Sequence, residues 1–179
     1  MAESFSNSLT RAVGIVTSSS NASIGVGLTW MSGISNAHVA IHDLVDNENF
    51  IAGTKVTLVG VSSVQLDRAS TNTTAATASN VSFLGPTTSF TSASGEKSIL
   101  IGGTFANNTA NSVNLTVSVY DSSGGAESAI ASKIPVPTGS SFVISDAGKT
   151  VLEGSDEIRV YCDTDSAIDV NLSILKGVS

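Results

Sequence analysis

Apolar and polar residues alternate strictly along three segments in the second half of the chain. These segments are 113–119, 158–162 and 168–174. Successive side chains of a β-strand point to opposite faces, so each segment has one face suited to a dry core and one suited to water. The alternation therefore predicts antiparallel sheets with one solvated side.

Shorter runs of apolar and β-branched residues predict further strands between clusters of Gly, Pro, Asn, Asp and Ser. These runs lie at 11–17, 24–31, 55–60, 63–67, 80–84, 97–105, 128–134 and 140–145. Many short strands at roughly ten-residue spacing are typical of a sandwich or jelly roll. No segment has a convincing helical pattern. We therefore predict an all-β fold, an antiparallel β-sandwich or jelly-roll-like domain.

The composition and the hydrophobic pattern of the chain change along its length. Residues 1–20 hold a polar arm and one strand, 21–86 are rich in Gly, Ser and Thr with short strands, and 87–179 carry the most regular alternation. These differences predict a main sandwich in 87–179 whose first strand is 11–17. The segment 21–86 is then a small β lobe inserted before the second strand of the sandwich.

Composition and charge exclude several classes of protein. The 179 residues suffice for one domain, or for a domain with a small module. A single Cys excludes a disulfide scaffold. With only 8 Lys and Arg and a net charge of −7, the chain lacks the cation clusters that bind phosphate, so we expect no nucleic-acid partner. We expect no signal peptide and no membrane partner, since no run approaches the roughly 18–20 apolar residues that span a bilayer.

The sequence contains four candidates for a chemical site. His38 and His42 have the i, i+4 spacing of a helical metal site, but no helix is predicted around them. Cys162 is in phase with the apolar residues of its strand, which predicts a buried thiol that packs as a small hydrophobe and is not a nucleophile. The Gly-rich pieces lack the Lys-Ser/Thr of a phosphate-binding loop. The fourth candidate is an acidic hairpin tip.

The acidic tip consists of Asp163, Asp165 and Asp169. Oxygen-rich loops bind Ca²⁺, yet this spacing lacks the Gly and the final Glu of an EF-hand loop. A solvated acidic rim is the favoured interpretation, and cation binding stays open. We predict no catalytic, cofactor-binding or metal-binding residues in this chain.

Three large apolar residues are candidates for interaction. Phe5 and Leu9 are the only large apolar groups in the polar stretch 2–9, as anchors are when an arm docks on a neighbouring subunit. A frayed terminus is the alternative for this stretch. Trp30 is a core residue or an interface anchor.

The first resemblance lies in the predicted lobe. Its strongest part is 51–56, Ile-Ala-Gly-Thr-Lys-Val, flanked by 33–35, 43–45, 64–69 and 81–83. This order of residues resembles a small β module found in phage virion proteins and bacterial surface proteins. Gly53 suits a tight turn at positive φ, and 55–60 and 63–67 are expected to pair as a hairpin.

The second resemblance covers 87–179. It is carried by Ile-Leu-Ile-Gly-Gly-Thr-Phe-Ala-Asn at 99–107, Ile-Pro-Val-Pro-Thr-Gly-Ser-Ser at 134–141, and the segments 149–160 and 169–175. In this order they resemble small virion structural proteins of tailed phages, especially marine cyanophages. The resemblance implies a β-sandwich and a virion component.

The resemblance implies a function and a location. The expected function is a non-enzymatic virion structural protein that self-associates and attaches to other virion proteins of the neck, tail or capsid exterior. A homo-oligomer is expected, with a trimer favoured by analogy with phage decorations and fibres. Receptor or glycan binding at a surface is the alternative, although aromatic residues make up only 5% of the chain. An enzyme such as a depolymerase would need paired carboxylates in a cleft, which the sequence does not indicate.

Overall fold

Strands form every regular element of the described chain, which comprises residues 3–35, 38–145 and 149–178 of a computed structural model. The strands are β1 (Ser4–Val13), β2 (Ile15–Ile24), β3 (Trp30–Ser32), β4 (Leu44–Asp46), β5 (Val56–Val59), β6 (Ser63–Leu66), β7 (Ala76–Gly85), β8 (Thr87–Thr91), β9 (Lys97–Asn107), β10 (Val113–Asp121), β11 (Ala126–Val136), β12 (Ser141–Ile144), β13 (Thr150–Leu152), β14 (Glu157–Cys162) and β15 (Ile168–Val178). The predicted all-β fold is confirmed. No helix among the described residues is long and apolar enough to cross a membrane.

The chain divides into two units. The sandwich comprises Met1–Gly14 and Thr87–Ser179, and the lobe comprises Ile15–Pro86. The segment 11–17, predicted as one strand, is divided between β1 and β2. Gly14 ends β1 with φ +130°, and a Cβ at this position would lie 2.0 Å from the carbonyl oxygen of Thr164. The chain turns at Gly14 from the sandwich into the lobe, and this turn requires glycine. The lobe therefore begins at 15, and the predicted boundary at 21 is wrong.

Two antiparallel sheets form the sandwich. The five-stranded sheet has the order β1-β15-β9-β12, and β13 pairs with β9 as well. The four-stranded sheet has the order β11-β10-β14-β8. Apolar side chains from both sheets pack into one core, including Leu100, Phe105, Leu115, Ile158, Leu172 and Ile174. Each fully buried side chain of this size contributes about 1.5–3 kcal/mol.

The stretch predicted as an arm is a strand of the five-stranded sheet. β1 pairs with β15 from Ser4 opposite Lys176 to Thr10 opposite Val170. The prediction of an arm is therefore wrong. The strand was not predicted because its inward positions carry the polar Ser6 and Ser8, so apolar and polar residues do not alternate as they do in other strands. The hydroxyl of Ser8 donates to the carbonyl of Ser89 at 2.7 Å, so this side of β1 is partly buried without large apolar groups.

The lobe has the strand order β4-β7-β2-β3-β6-β5. Its two end strands also meet: Leu44 bridges to Lys55, and the amide of Val45 donates to the carbonyl of Thr54 at 2.8 Å. The sheet therefore closes on itself, which protects its edges. Its own core contains Ile24, Met31, Val64 and Phe83.

The turns of the lobe test two predicted elements. The predicted hairpin of 55–60 and 63–67 is confirmed by β5 and β6, with Val59 opposite Val64. The predicted strand 24–31 is wrong, because residues 25–29 connect β2 and β3 and Gly27 turns the chain at φ +63°.

Excision of the lobe should leave a folded sandwich. Ile15 and Gly85 are directly opposite partners of β2 and β7, so the chain leaves and re-enters the sandwich at adjacent points. Partners of this kind have Cα atoms about 4.5–5.5 Å apart, which a short Gly-Ser linker spans. We expect the protein lacking 15–86 to be soluble and to melt cooperatively in calorimetry. An insoluble or non-cooperative product would contradict the division into two units.

Candidate functional site

The outer face of the five-stranded sheet carries a row of apolar side chains, exposed at its two ends and half-buried between them. Phe5 lies opposite Leu175, Leu175 opposite Ile99, and Ile99 opposite Val151. Directly opposite residues of antiparallel strands project from the same face, so the four side chains form one row across four strands. Phe5 is 78% exposed and Val151 is 55% exposed. We call this set the apolar row.

A second line of side chains crosses the same face. Leu9 lies opposite Asn171, Asn171 opposite Thr104, and Thr104 opposite Val143. A groove of about 340 Å³ lies here, lined by Leu9, Thr10, Arg11, Thr104, Ala106, Asp169, Val170 and Asn171. The structure therefore brings two of the predicted interaction residues, Phe5 and Leu9, onto one exposed surface.

A pair of charged side chains lies at one corner of this face. The guanidinium of Arg11 lies 3.7 Å from the carboxylate of Asp169, which also accepts a hydrogen bond from the amide of Ala12 at 2.9 Å. That backbone hydrogen bond is the main reason why the pKa of Asp169 is lower than its ordinary value, and Arg11 adds to it. Asp169 is thus held as an acceptor at the rim of the groove.

Trp30 belongs to the lobe and not to the face that carries Phe5 and Leu9. It lies on β3 opposite Gln65, which in turn lies opposite Leu58. Trp30 and Leu58 are each 44% exposed, so Trp30 is a surface residue of the lobe. Trp30, Gln65 and Leu58 thus form a small surface patch of their own, which does not include Phe5 or Leu9.

The acidic tip is engaged in hydrogen bonds with its own neighbours. The carboxylate of Asp163 accepts from the backbone amide of Asn114 at 2.9 Å and from its side-chain amide at 2.7 Å. Asp169 is held by Ala12, as described above. Within the described residues, no group of three or more His, Cys, Asp and Glu side chains is placed to hold a metal ion.

Cys162 lies in the core of the sandwich, as predicted from its phase. The residue is fully buried and belongs to the same core cluster as Ile158 and Val160 of β14. Burial raises the pKa of its thiol from the ordinary 9.0 to about 11. A protonated, inaccessible thiol is a poor nucleophile.

The elevated pKa of Cys162 predicts a loss of stability at high pH. The unfolded thiol ionises near pH 9 while the folded one stays neutral, so its contribution is present below pH 9 and is lost as the pH rises toward 11. We expect the urea midpoint of the wild type to fall more between pH 8 and pH 10.5 than that of Cys162→Ala. Identical pH profiles would contradict the buried neutral thiol.

A polar cluster on the outer side of the four-stranded sheet was missed by the sequence reasoning. The carboxylate of Glu127 accepts hydrogen bonds from Ser118, from the phenol of Tyr161 at 2.7 Å and from the guanidinium of Arg159 at 3.5 Å. The Nε of Arg159 donates to Glu157 at 2.7 Å. We call these residues the Glu127 cluster.

The centre of the Glu127 cluster is shielded from solvent, whereas Glu157 at its edge keeps 24% of its side chain exposed. Tyr161 is fully buried, and the side chain of Glu127 is 3% exposed. Burial, reinforced by Glu127, raises the pKa of Tyr161 far above its ordinary value. Burial alone would lower the pKa of Arg159, but Glu157 and Glu127 together raise it. Glu127 is thus held as a hydrogen-bond acceptor at the buried centre of the cluster.

The chain was compared with family models, with curated proteins and with solved structures, and none of these comparisons found a match.

Proposed function

We propose that the protein is a non-enzymatic structural component of a tailed-phage virion, whose copies self-associate and attach to the neck, tail or capsid exterior. The observation that carries this proposal is the exposed apolar row beside the Leu9 groove, with Arg11 and Asp169 at its corner. Contiguous apolar patches on a protein surface often mark sites of contact with other proteins.

The family resemblance of 87–179 supports the same function. Its segments 134–141 and 149–160 fall on β11 to β14, which belong to the sandwich that carries the exposed face. In a virion, repeated copies would cover such faces with one another or with neighbouring subunits.

A second candidate function is recognition of a receptor or glycan. Trp30 favours it, because a half-exposed indole next to Gln65 offers a stacking surface and an amide for hydroxyl groups. Trp30→Ala would abolish binding to a glycan array if this were the function, and Phe5→Ser would not.

Incorporation into particles tests the structural function. Phe5 and Leu9 are so exposed that the double variant Phe5→Ser/Leu9→Ser should melt like the wild type. We expect purified particles to contain at least about tenfold less of this variant than of the wild type. Such a depletion corresponds to a loss of about 1.4 kcal/mol or more in the free energy of binding. Val61→Ser is the matched control, because Val61 is a 95% exposed apolar residue of the lobe. Mass spectrometry of separated heads and tails would then locate the protein. Equal incorporation of both variants would contradict the proposal.

A further inference from the structure

The free edge of β1 is the least protected part of the five-stranded sheet. One side of β1 pairs with β15, and no other strand of the described chain pairs with it. An edge strand presents unpaired N–H and C=O groups, and proteins usually protect it with Lys, Pro or a short length. β1 has ten residues, no Lys and no Pro; its one charged residue is Arg11, and its only irregularity is the register shift between Thr10 and Val13, so Ser4 to Thr10 form a regular edge.

The sequence around this edge is self-complementary. Residues 3–11 read Glu-Ser-Phe-Ser-Asn-Ser-Leu-Thr-Arg. When two copies run antiparallel with Asn7 opposite Asn7, Phe5 lies opposite Leu9 and Glu3 lies opposite Arg11. The remaining pairs are small hydroxyl residues. Apolar groups thus meet apolar groups, and opposite charges meet, twice each by symmetry.

The side-chain directions agree with this register. Phe5 and Leu9 both project from the outer face and are 78% and 71% exposed. Arg11 is 88% exposed at its side chain although Asp169 lies nearby, and Glu3 is exposed. In a two-fold pair, the Phe5 of one copy would cover the Leu9 of the other, and each Arg11 would reach a Glu3.

Other registers lose these matches. A shift by one residue places outward side chains opposite inward ones, so the two outer faces no longer coincide. Shifts by two place Phe5 opposite Asn7 or opposite Arg11, which removes both the apolar and the charged pairs. Shifts by four keep one apolar pair, Phe5 opposite Phe5 or Leu9 opposite Leu9, but lose both charged pairs. The register centred on Asn7 is therefore the one that the sequence favours.

We propose that two copies of this chain associate through their β1 edges, antiparallel and with Asn7 on the two-fold axis. This inference rests on the self-association in the proposed function and adds its surface, symmetry and register. The two five-stranded sheets become one continuous sheet, and the two apolar rows come to lie on the same face. A contact of this kind builds dimers, whereas the analogy with phage decorations favours a trimer.

Light scattering of the full chain tests the symmetry and the charges. We expect a mass of twice 18.1 kDa. Glu3→Arg places like charges opposite each other at both ends of the contact, and we expect it to weaken the dimer about tenfold. Glu48→Arg makes the same change of charge at an exposed residue of the lobe and should leave the dimer intact.

Cross-linking tests the register. Asn7→Cys brings two thiols opposite each other on the axis, and we expect mild oxidation to convert this variant to a covalent dimer. Ser4→Cys is the control, because its two copies lie six residues apart, which is about 20 Å along the strands. Cys162 is buried and does not compete.

The outcomes separate this inference from the proposed function. A dimer that Glu3→Arg weakens and Asn7→Cys locks supports the β1 contact. A trimer, or a dimer that neither variant affects, overturns the β1 contact but leaves self-association in place. A strict monomer at high concentration overturns both.

Discussion

Replacing Leu172 with Asp should abolish folding of the sandwich. Leu172 is fully buried on β15, which lies between β1 and β9 in the five-stranded sheet. Its Cδ2 fills the space above Gly103, where a Cβ would lie only 2.8 Å away. A carboxylate at this position has no partner, and its burial costs several kcal/mol, a large share of the roughly 5–15 kcal/mol that stabilise a domain. Circular dichroism on heating should show no cooperative transition.

Two further variants keep this prediction measurable. Leu172→Ala should still fold and should lose about 2–5 kcal/mol in urea unfolding. Asn171→Asp is the matched control, since Asn171 is the exposed neighbour on the other face of the same strand. It should change the free energy of unfolding by less than about 0.5 kcal/mol. Equal destabilisation by Leu172→Asp and Asn171→Asp would show that β15 is buried on both faces.

The success at β15 shows what the sequence could predict. In 168–174 the apolar residues alternate without interruption, and each of them is buried on the inner face. Where apolar residues recur at every second position, the pattern predicts the strand, the face that it buries and its register. Cys162 was placed correctly for the same reason.

Irregular backbone limited the predictions elsewhere. Ile24, Val26, Leu28 and Trp30 also alternate, but Gly27 turns the chain between them, and Val26 and Leu28 are exposed. Alternation fails to predict a strand here because Gly27 takes up a left-handed conformation that turns the chain. β1 shows the reverse error. Its small polar residues have little apolar periodicity, yet they form a strand.

The candidate face depends on a β-bulge that the sequence does not reveal. Ser173 pairs with Gly102 and Ile174 with Leu100, so Ile101 is an extra residue in β9. Without this bulge Ile99 would share the inner face with Phe105. The bulge rotates Ile99 outward and into line with Leu175, which completes the apolar row. Phe5 and Leu9 were identifiable from the sequence, whereas their neighbours depend on pairings between distant strands.

The Glu127 cluster escaped prediction because its burial is cooperative. Arg159 and Tyr161 occupy the positions of β14 that alternation assigns to solvent. Tyr161 finds its acceptor on Glu127, which lies 34 residues away. A polar side chain is buried at such a position when its partners satisfy it, and only the fold supplies those partners.

Removal of the central carboxylate should strongly destabilise the sandwich. Glu127→Ala leaves the phenol of Tyr161 and part of the guanidinium of Arg159 without an acceptor. Arg159 keeps its pairing with Glu157, so the main penalty is that of the buried phenol left without an acceptor, about 1–3 kcal/mol, and the weakened pairing of Arg159 adds to it. We expect a loss of this size in urea unfolding, with Tyr161→Phe costing only about 0.5–1.5 kcal/mol.

A matched control separates burial from charge. Glu153 forms an ion pair with Lys97 at 3.1 Å, and both side chains are more than half exposed. Because solvent screens such a pair, Glu153→Ala should cost at most about 1 kcal/mol. The double variant Glu127→Ala/Tyr161→Phe should cost less than the sum of its single variants, since both changes remove the same hydrogen bond. Additive losses, or a loss at Glu127 no larger than at Glu153, would mean that the carboxylate of Glu127 is open to water, and it would then be accessible to a ligand.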